Sequence, residues 1–211
     1  MSVFLDEEMV GKDATTIGFP HLLLCMGFVA VTGNDLWGVH LTSTQTSQAM
    51  LGRFWAWAQN KGLNAGAITD IYGCCDLKVR YGVSSSNAGL IQWTNEMGVF
   101  AGILGWNGPA HGFDTSIINP ADGTFVQYDR NLSGNPACRI FYKRDEKTHA
   151  TGFSTVQYNG GAGDVAAWSN HNNAWRLFTS MKTGIAGNVS TFHWGTIHEV
   201  DYGRRLTTIN V

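Results

Sequence analysis

Charge is scarce in this sequence, and neither sign is concentrated. Charged residues make up 14% of the 211 positions, whereas about a quarter is usual in soluble domains. The formal net charge is −2, and no block of lysine or arginine stands out. Proteins that bind nucleic acid neutralise its phosphates with a concentrated positive surface. The composition therefore predicts no nucleic-acid partner.

Long hydrophobic runs are missing as well. No apolar stretch approaches the roughly 20 residues that cross a bilayer, so the sequence predicts no membrane span. Residues 1–16 are acidic and lack the basic and apolar regions of a secretory signal peptide. We therefore expect a protein that is cytoplasmic as made. Delivery to a host or target cell would need a route independent of a signal peptide.

Cysteine is sparse, and its spacing does not describe a disulfide framework. The chain has four cysteines. Two of them, Cys74 and Cys75, are adjacent in sequence and are unsuited to pairing with each other. Together with the missing signal peptide, this pattern predicts reduced thiols. Each cysteine is then free either for packing or for chemistry.

Glycine and aromatic residues are plentiful. The 26 glycines and eight tryptophans favour short strands joined by tight turns. Two helical patterns, at residues 42–61 and 165–181, lie among strand-like segments without a regular β-α-β rhythm. This order predicts an α+β fold, mainly an antiparallel β-sandwich with flanking helices. The length, with no linker or internal repeat, predicts one domain over residues 1–211.

The strand predictions follow from alternation of apolar and polar residues. Besides the hairpin described next, they cover residues 76–81, 114–118, 124–129, 139–143, 152–158, 189–202 and 205–211. Residues 90–106 are apolar and fit either a strand or a helix.

A β-hairpin is the clearest local pattern. Residues 21–31 alternate, residues 36–42 continue in step, and the segment between them is rich in turn residues. Taking Gly33 and Asn34 as the tight turn fixes the register of the two strands. A register shifted by one residue would mix the apolar sets of the two faces.

This register brings a thiol and an imidazole together. His40 lies opposite Gly27, and Cys25 shares the face of Gly27 because strand side chains alternate. Cys25 and His40 are then diagonal neighbours, about 7–8 Å apart at Cα. Gly27 and Gly38 carry no side chain on that face, so we expect open space for a substrate chain.

Such a pair has two interpretations. A free cysteine titrates near pH 8.5, and a neighbouring imidazole can accept its proton or stabilise the thiolate. The activated sulfur can attack a carbonyl or carboxamide carbon. The alternative is a buried cysteine, a common core residue, beside a half-exposed histidine. The catalytic interpretation predicts a reactive thiol of low pKa that depends on His40.

The layout resembles a known family. A cysteine on one strand, a histidine on the next strand fifteen residues later and a following helix are similar to the Cys-His glutamine deamidases. That group includes cytotoxic necrotizing factor, Burkholderia lethal factor and the chemoreceptor glutamine deamidase. Leu22 and Cys25 match the ends of the group's Leu-Ser-Gly-Cys-like motif, and leucines replace its serine and glycine. Phe19 stands where several members have threonine. The match covers residues 19–59.

The resemblance implies a fold, an activity and roles for two residues. The fold is a β-sandwich with flanking helices, and the reaction converts a glutamine of a target protein to glutamate. Cys25 would be the nucleophile and His40 its base, and no metal or organic cofactor is required. A backbone carbonyl is one candidate for the group that orients His40. The setting implied is a bacterial toxin or effector, whose partner is a target protein with a susceptible glutamine.

Other constellations compete with this one. Cys74 and Cys75 with His111 form a rival pair without a short-range geometric link. His193 and His198 invite a metal interpretation, but their odd separation would place them on opposite faces of a strand, so no metal is expected. A non-catalytic β-rich binding protein with an aromatic-lined surface is the main alternative function. Peptide cleavage and transglutamination need the same activated thiol.

Overall fold

The computed structural model describes residues 2–118, 123–134, 136–144, 165–169, 174–177, 198–201 and 206–211. These residues form three layers, because two β-sheets pack face to face and two long helices cover the outer face of the larger sheet. The predicted α+β sandwich with flanking helices is confirmed. Within the described residues, no helix has the length and apolar character needed to cross a bilayer.

The strands of the described part belong to two sheets. In chain order they are β1 (Ser2–Phe4), β2 (Met9–Asp13), β3 (Thr16–Leu22), β4 (Met26–Thr32), β5 (Leu36–Leu41), β6 (Ile68–Cys75), β7 (Pro109–Phe113), β8 (Thr124–Arg130), β9 (Cys138–Arg144), β10 (Val165–Ser169), β11 (Ala174–Leu177), β12 (His198–Glu199) and β13 (Leu206–Asn210). The larger sheet has the order β11-β10-β2-β5-β4-β6-β7-β13, and the smaller one β1-β3-β8-β9-β12. Pairing is antiparallel except at β6–β7 and β1–β3.

Three helices complete the described part: α1 (Thr44–Asn60), α2 (Leu77–Tyr81) and α3 (Ser86–Leu104). The helix predicted at residues 42–61 is confirmed as α1, and the ambiguous segment 90–106 is helical. Apolar side chains of α1 and α3 pack on the outward side chains of β4 and β5. Phe28 contacts Phe54 and Phe100 there in edge-on geometry. Burying each such ring stabilises the fold by about 1.5–3 kcal/mol.

A second core lies between the two sheets. Its largest side chains include Phe19, Tyr72 and Tyr128, all without solvent exposure. The Tyr128 hydroxyl donates to the carbonyl of Gly27 at 2.8 Å and accepts from the backbone N–H of Cys74 at 3.1 Å. These bonds satisfy a buried hydroxyl, as burial requires, and join the smaller sheet to the centre of the larger one.

The predicted hairpin register is confirmed, since His40 pairs with Gly27. The strand expected over residues 21–31 is instead divided between the sheets. Leu22 ends β3 in the smaller sheet, and Met26 begins β4 in the larger one. Residues 23–25 therefore cross from one sheet to the other, and Cys25 is the last residue of that crossing.

Three other predictions are wrong. Residues 76–81 form α2 rather than a strand, because the Asp76 carboxylate caps the helix by accepting from the N–H groups of Lys78 and Val79. Residues 115–118 form a 3-10 turn, and the strand precedes them as β7. The helix expected at 165–181 is replaced, over its described residues, by β10 and β11. The strand predicted at 152–158 lies outside the described residues, and of 189–202 only β12 is described as a strand.

Candidate functional site

Cys25 lies where the chain enters the larger sheet. Its side chain packs into the core between the sheets and is 5% exposed. The thiol donates a hydrogen bond to Oε1 of Glu7, with 3.6 Å between sulfur and oxygen. Glu7 itself is exposed. The thiol is therefore buried except where it meets a carboxylate that can turn into solvent.

His40 projects from β5 into the same core and has no solvent exposure. Its Nδ1 lies 2.8 Å from the carbonyl oxygen of Leu5. A carbonyl can only accept, so Nδ1 carries the proton in the neutral ring and Nε2 carries a lone pair. Nε2 is buried and has no hydrogen-bond partner in the described part of the chain. Burial lowers the pKa of His40, which keeps the ring neutral and leaves the lone pair of Nε2 unprotonated.

The thiol and the imidazole are not hydrogen-bonded to each other. None of the described residues bonds to Nε2 of His40, and the acceptor of the Cys25 thiol is Glu7. Both groups instead contact one short segment, residues 5–8, through the Leu5 carbonyl and the Glu7 carboxylate. This segment, which follows β1, carries the orienting carbonyl that the sequence could not identify.

The open space expected at Gly27 and Gly38 is filled, so that prediction is wrong. A Cβ atom on Gly27 would lie 2.7 Å from the ring of Phe19, and one on Gly38 would lie 3.1 Å from it. The same ring meets the imidazole of His40 edge-on, with 5.9 Å between centroids. Gly27 is therefore needed for packing Phe19, the residue that replaces the threonine of several deamidases, whereas Gly38 makes room for Ile17 and Leu5 as well as Phe19.

The electrostatics also differ from the expected low-pKa thiol. Burial raises the pKa of Cys25 to about 12, and the charge and hydrogen bond of Glu7 act in the same direction. The positive charge of Arg80 acts in the opposite direction, with a smaller effect. The resting thiol is thus protonated at neutral pH, and any reaction has to begin from a neutral thiol and a neutral imidazole.

Two backbone outliers border this site. Within the described part of the chain, Glu8 and His21 are the non-glycine residues with positive φ, at 61° and 58°. The backbone N–H of Glu8 donates to the carbonyl of His40 at 3.3 Å. The charge of a protonated His21 would further lower the pKa of His40. Such conformations cost about 1–3 kcal/mol each and cluster at functional sites.

A buried arginine connects this site to the helices. The Arg80 side chain has no exposure, and its Nε and Nη2 donate to the two carboxylate oxygens of Glu96 at 2.9 and 2.8 Å. Its Nη1 donates to the carbonyls of Leu24 at 2.9 Å and Thr42 at 2.8 Å. The sequence interpretation missed Arg80 because residues 76–81 alternate like a strand, and it missed Glu7 because that residue lies in a segment with no motif.

The rival cysteine pair is not brought together. Cys74 faces the inter-sheet core, Cys75 faces the helices, and both are fully buried. Burial raises the pKa of Cys74 to about 12 and that of Cys75 as well. His111 bonds instead to Asp70 at 3.1 Å and Thr208 at 2.9 Å.

Neither metal binding nor an aromatic surface gains support. In the described ranges, no group of three or more histidine, cysteine or acidic residues could hold a metal ion. His193 lies outside these ranges, and His198 stacks on Tyr142. None of the aromatic rings whose burial is described is exposed.

No protein-family model matches this chain, and no curated protein matches it.

Proposed function

We propose that this protein is a cysteine-dependent hydrolase of side-chain amides that deamidates a glutamine of a target protein. Cys25 is the nucleophile and His40 its base. The supporting observation is the hydrogen bonding of His40: the Leu5 carbonyl accepts from Nδ1, and the buried Nε2 has no partner among the described residues. Buried polar atoms are usually paired. Of the five described ones that are not, the other four are indole nitrogens and threonine hydroxyls, so Nε2 is the one with a free imidazole lone pair. Because it lies in the core that contains Cys25, Nε2 of His40 can accept the thiol proton and release it later in the reaction.

The chemistry follows from a neutral pair. As the sulfur of Cys25 attacks the carboxamide carbon, Nε2 of His40 takes the thiol proton. The imidazolium then gives this proton to the amide nitrogen, the C–N bond breaks, and ammonia leaves a thioester on Cys25. His40 next takes a proton from water, the hydroxide oxygen attacks the thioester, and the proton returns to the departing sulfur. The products are glutamate and the original thiol.

The resting site has to open before this reaction. Glu7 holds the thiol, and the Phe19 ring occupies the space beside Gly27. Because Glu7 is exposed, a target chain can displace its carboxylate, and the loss of that negative charge favours thiolate formation. An amine in place of water would give transglutamination with the same residues. Use as a bacterial toxin or effector is the setting that the deamidase resemblance suggests.

A glutamine-mimicking electrophile tests this proposal without knowledge of the target. A blocked glutamine analogue with a chloromethyl ketone in place of the carboxamide would alkylate a thiol that attacks at the carboxamide position. We expect Cys25 to be labelled, and His40→Ala to slow labelling by about a hundredfold. Peptide mass spectrometry would locate the adduct.

His111→Ala is the matched control, because it removes an imidazole that bonds to Asp70 and Thr208. It should leave the Cys25 labelling rate unchanged. Labelling that occurs at another cysteine, or at Cys25 equally fast in His40→Ala, would refute the proposal.

A further inference from the structure

The geometry points to Arg80 as the positioning residue of the Cys25–His40 pair. Its buried guanidinium binds the backbone on both sides of that pair and so fixes the separation of the two segments that carry the thiol and the imidazole. This inference rests on the proposed function for the role of the pair. Arg80 lies outside the pair, and the reaction would require it.

The hydrogen bonds of Arg80 lie where the β4–β5 ladder stops. The last paired residues are Met26 and Leu41. Beyond them, Nη1 of Arg80 donates to the carbonyls of Leu24 and Thr42. Leu24 directly precedes Cys25, and Thr42 follows His40 by two residues. One nitrogen atom thus replaces the missing ladder bonds at the open end of the hairpin, next to Cys25 on one side and two residues after His40 on the other.

The other donors of Arg80 hold the guanidinium in place. Nε and Nη2 bind the two oxygens of Glu96. Glu96 also accepts from Ser47 and Tyr81, each at 2.6 Å, so every carboxylate oxygen has two donors. Burial alone would lower the pKa of Arg80, but its bonds and charge contact with Glu96 raise it. The group is always charged and rigidly oriented.

Arginine geometry is needed for this arrangement. A guanidinium is a planar fork that serves a carboxylate through two nitrogens while the third faces elsewhere. A lysine ammonium at the same place keeps the charge but cannot reach Glu96 and both carbonyls together. Leu24 is 53% exposed, so burial of its own side chain does not anchor this segment.

A comparison of His40 dependence tests the inference. The rate of Cys25 alkylation by iodoacetamide would be measured with and without His40→Ala, in wild type, in Arg80→Lys and in the double variant Arg80→Met/Glu96→Leu. The double variant removes both charges, so that neither is left buried and unpaired. In wild type we expect His40→Ala to slow Cys25 by about tenfold or more. In both Arg80 backgrounds we expect little difference.

Tyr81→Phe is the matched control, because it removes one bond to Glu96 and none to the carbonyls. It should keep the full dependence on His40. Folded Arg80 variants that also keep the wild-type dependence would overturn the positioning role, while the proposed function would stand.

Amide hydrogen exchange tests the positioning role of Arg80 separately from the proposed function. If wild type lacks any dependence on His40, the proposed function fails by itself. Exchange at residues 24–27 and 40–43 then decides about Arg80. We expect faster exchange at both segments in Arg80→Lys and unchanged exchange in Tyr81→Phe. Unchanged exchange in Arg80→Lys would refute the positioning role.

Discussion

Two polar clusters lie near one end of the larger sheet, and they differ in how fully their atoms are paired. The guanidinium cluster (Ser47, Arg80, Tyr81 and Glu96) is on the helix side. The thiol cluster (Leu5, Glu7, Cys25 and His40) is on the inter-sheet side. In the first, each oxygen of Glu96 accepts two hydrogen bonds. In the second, Nε2 of His40 is buried and meets no hydrogen-bonding group of the residues that the structure describes.

This difference separates support from reactivity. A saturated buried network orders its members and offers no site for a proton, whereas an unsaturated one keeps a basic atom available at a cost in stability. The two positive-φ residues, Glu8 and His21, border the thiol cluster. Arg80 belongs to the saturated cluster but also binds the backbone beside the unsaturated one.

The largest expected effect is loss of the buried charge pair in the guanidinium cluster. Arg80→Met should destabilise the fold by about 3–5 kcal/mol, because it leaves the Glu96 carboxylate buried without its cation. Arg80→Met/Glu96→Leu should cost much less. Urea unfolding measures both free energies. If Arg80→Met is as stable as Arg80→Met/Glu96→Leu, the view that Arg80 stabilises the fold by pairing with the buried Glu96 carboxylate is contradicted.

Removing the aromatic ring beside the thiol cluster should increase the reactivity of Cys25 more than removing a similar ring on the helix side of the sheet. Phe19→Leu has a matched control in Phe28→Leu, because each change replaces a fully buried ring with a smaller side chain. Each should lower the free energy of unfolding by about 1–2 kcal/mol. Only Phe19→Leu should speed Cys25 alkylation, because the Phe19 ring meets His40 and covers Gly27. Equal alkylation rates in the two variants would show that Phe19 does not restrict the site.

Neutralising Glu7 should lower the pH at which Cys25 becomes reactive. The Glu7 carboxylate contributes, after burial, to raising the thiol pKa to about 12, so Glu7→Gln should shift the alkylation profile toward lower pH. Stability should change by no more than about 0.5 kcal/mol, because Glu7 is exposed. Glu8→Gln is the control with the same charge change. Identical profiles for wild type and Glu7→Gln would contradict the assigned cause.

The raised pKa of Cys25 also determines how the stability of the fold changes at alkaline pH. The folded thiol keeps a proton that the unfolded chain loses above about pH 9. The Cys25 contribution to stability is therefore present below that pH and is lost as the pH rises toward 12. Urea unfolding of wild type and Cys25→Ala across this window should show a shallower decline in the variant. Parallel curves would exclude such a contribution.

The smallest effect concerns backbone strain beside the thiol cluster. Glu8 has φ of 61°, a conformation that glycine adopts freely. Glu8→Gly should therefore leave the free energy of unfolding unchanged or raise it by up to about 0.5 kcal/mol, since the relief of strain offsets the added freedom of the unfolded chain. Glu7→Gly, without positive φ, should lose about 0.5–1 kcal/mol. Equal losses would argue against strain at Glu8.

The sequence predicted the hairpin because its evidence was local. Two alternating segments and a two-residue turn determine the pairing of His40 with Gly27. The change of sheet at residues 23–25 could not be predicted, because Leu22 and Met26 continue one apolar alternation although they belong to different sheets. Both sides of the crossing are buried, so hydrophobicity does not mark it.

The missed members of the site depend on contacts between distant segments. Leu5 and Glu7 reach His40 and Cys25 only after β1 and β3 pair. Arg80 occupies an alternating stretch typical of a strand, and the cap at Asp76 together with the ion pair to Glu96 stabilises the helix instead. Local propensity gives way there to tertiary contacts, which a single sequence does not display.

The most direct measurement is the rate of Cys25 alkylation by iodoacetamide as a function of pH in wild type and His40→Ala, resolved by peptide mass. We expect a wild-type rate at neutral pH about tenfold above that of His40→Ala. Both rates should still rise above pH 9, because the thiol pKa is raised to about 12. Superimposable profiles would mean that the unpaired nitrogen of His40 does not serve Cys25, and the deamidase proposal would then fail.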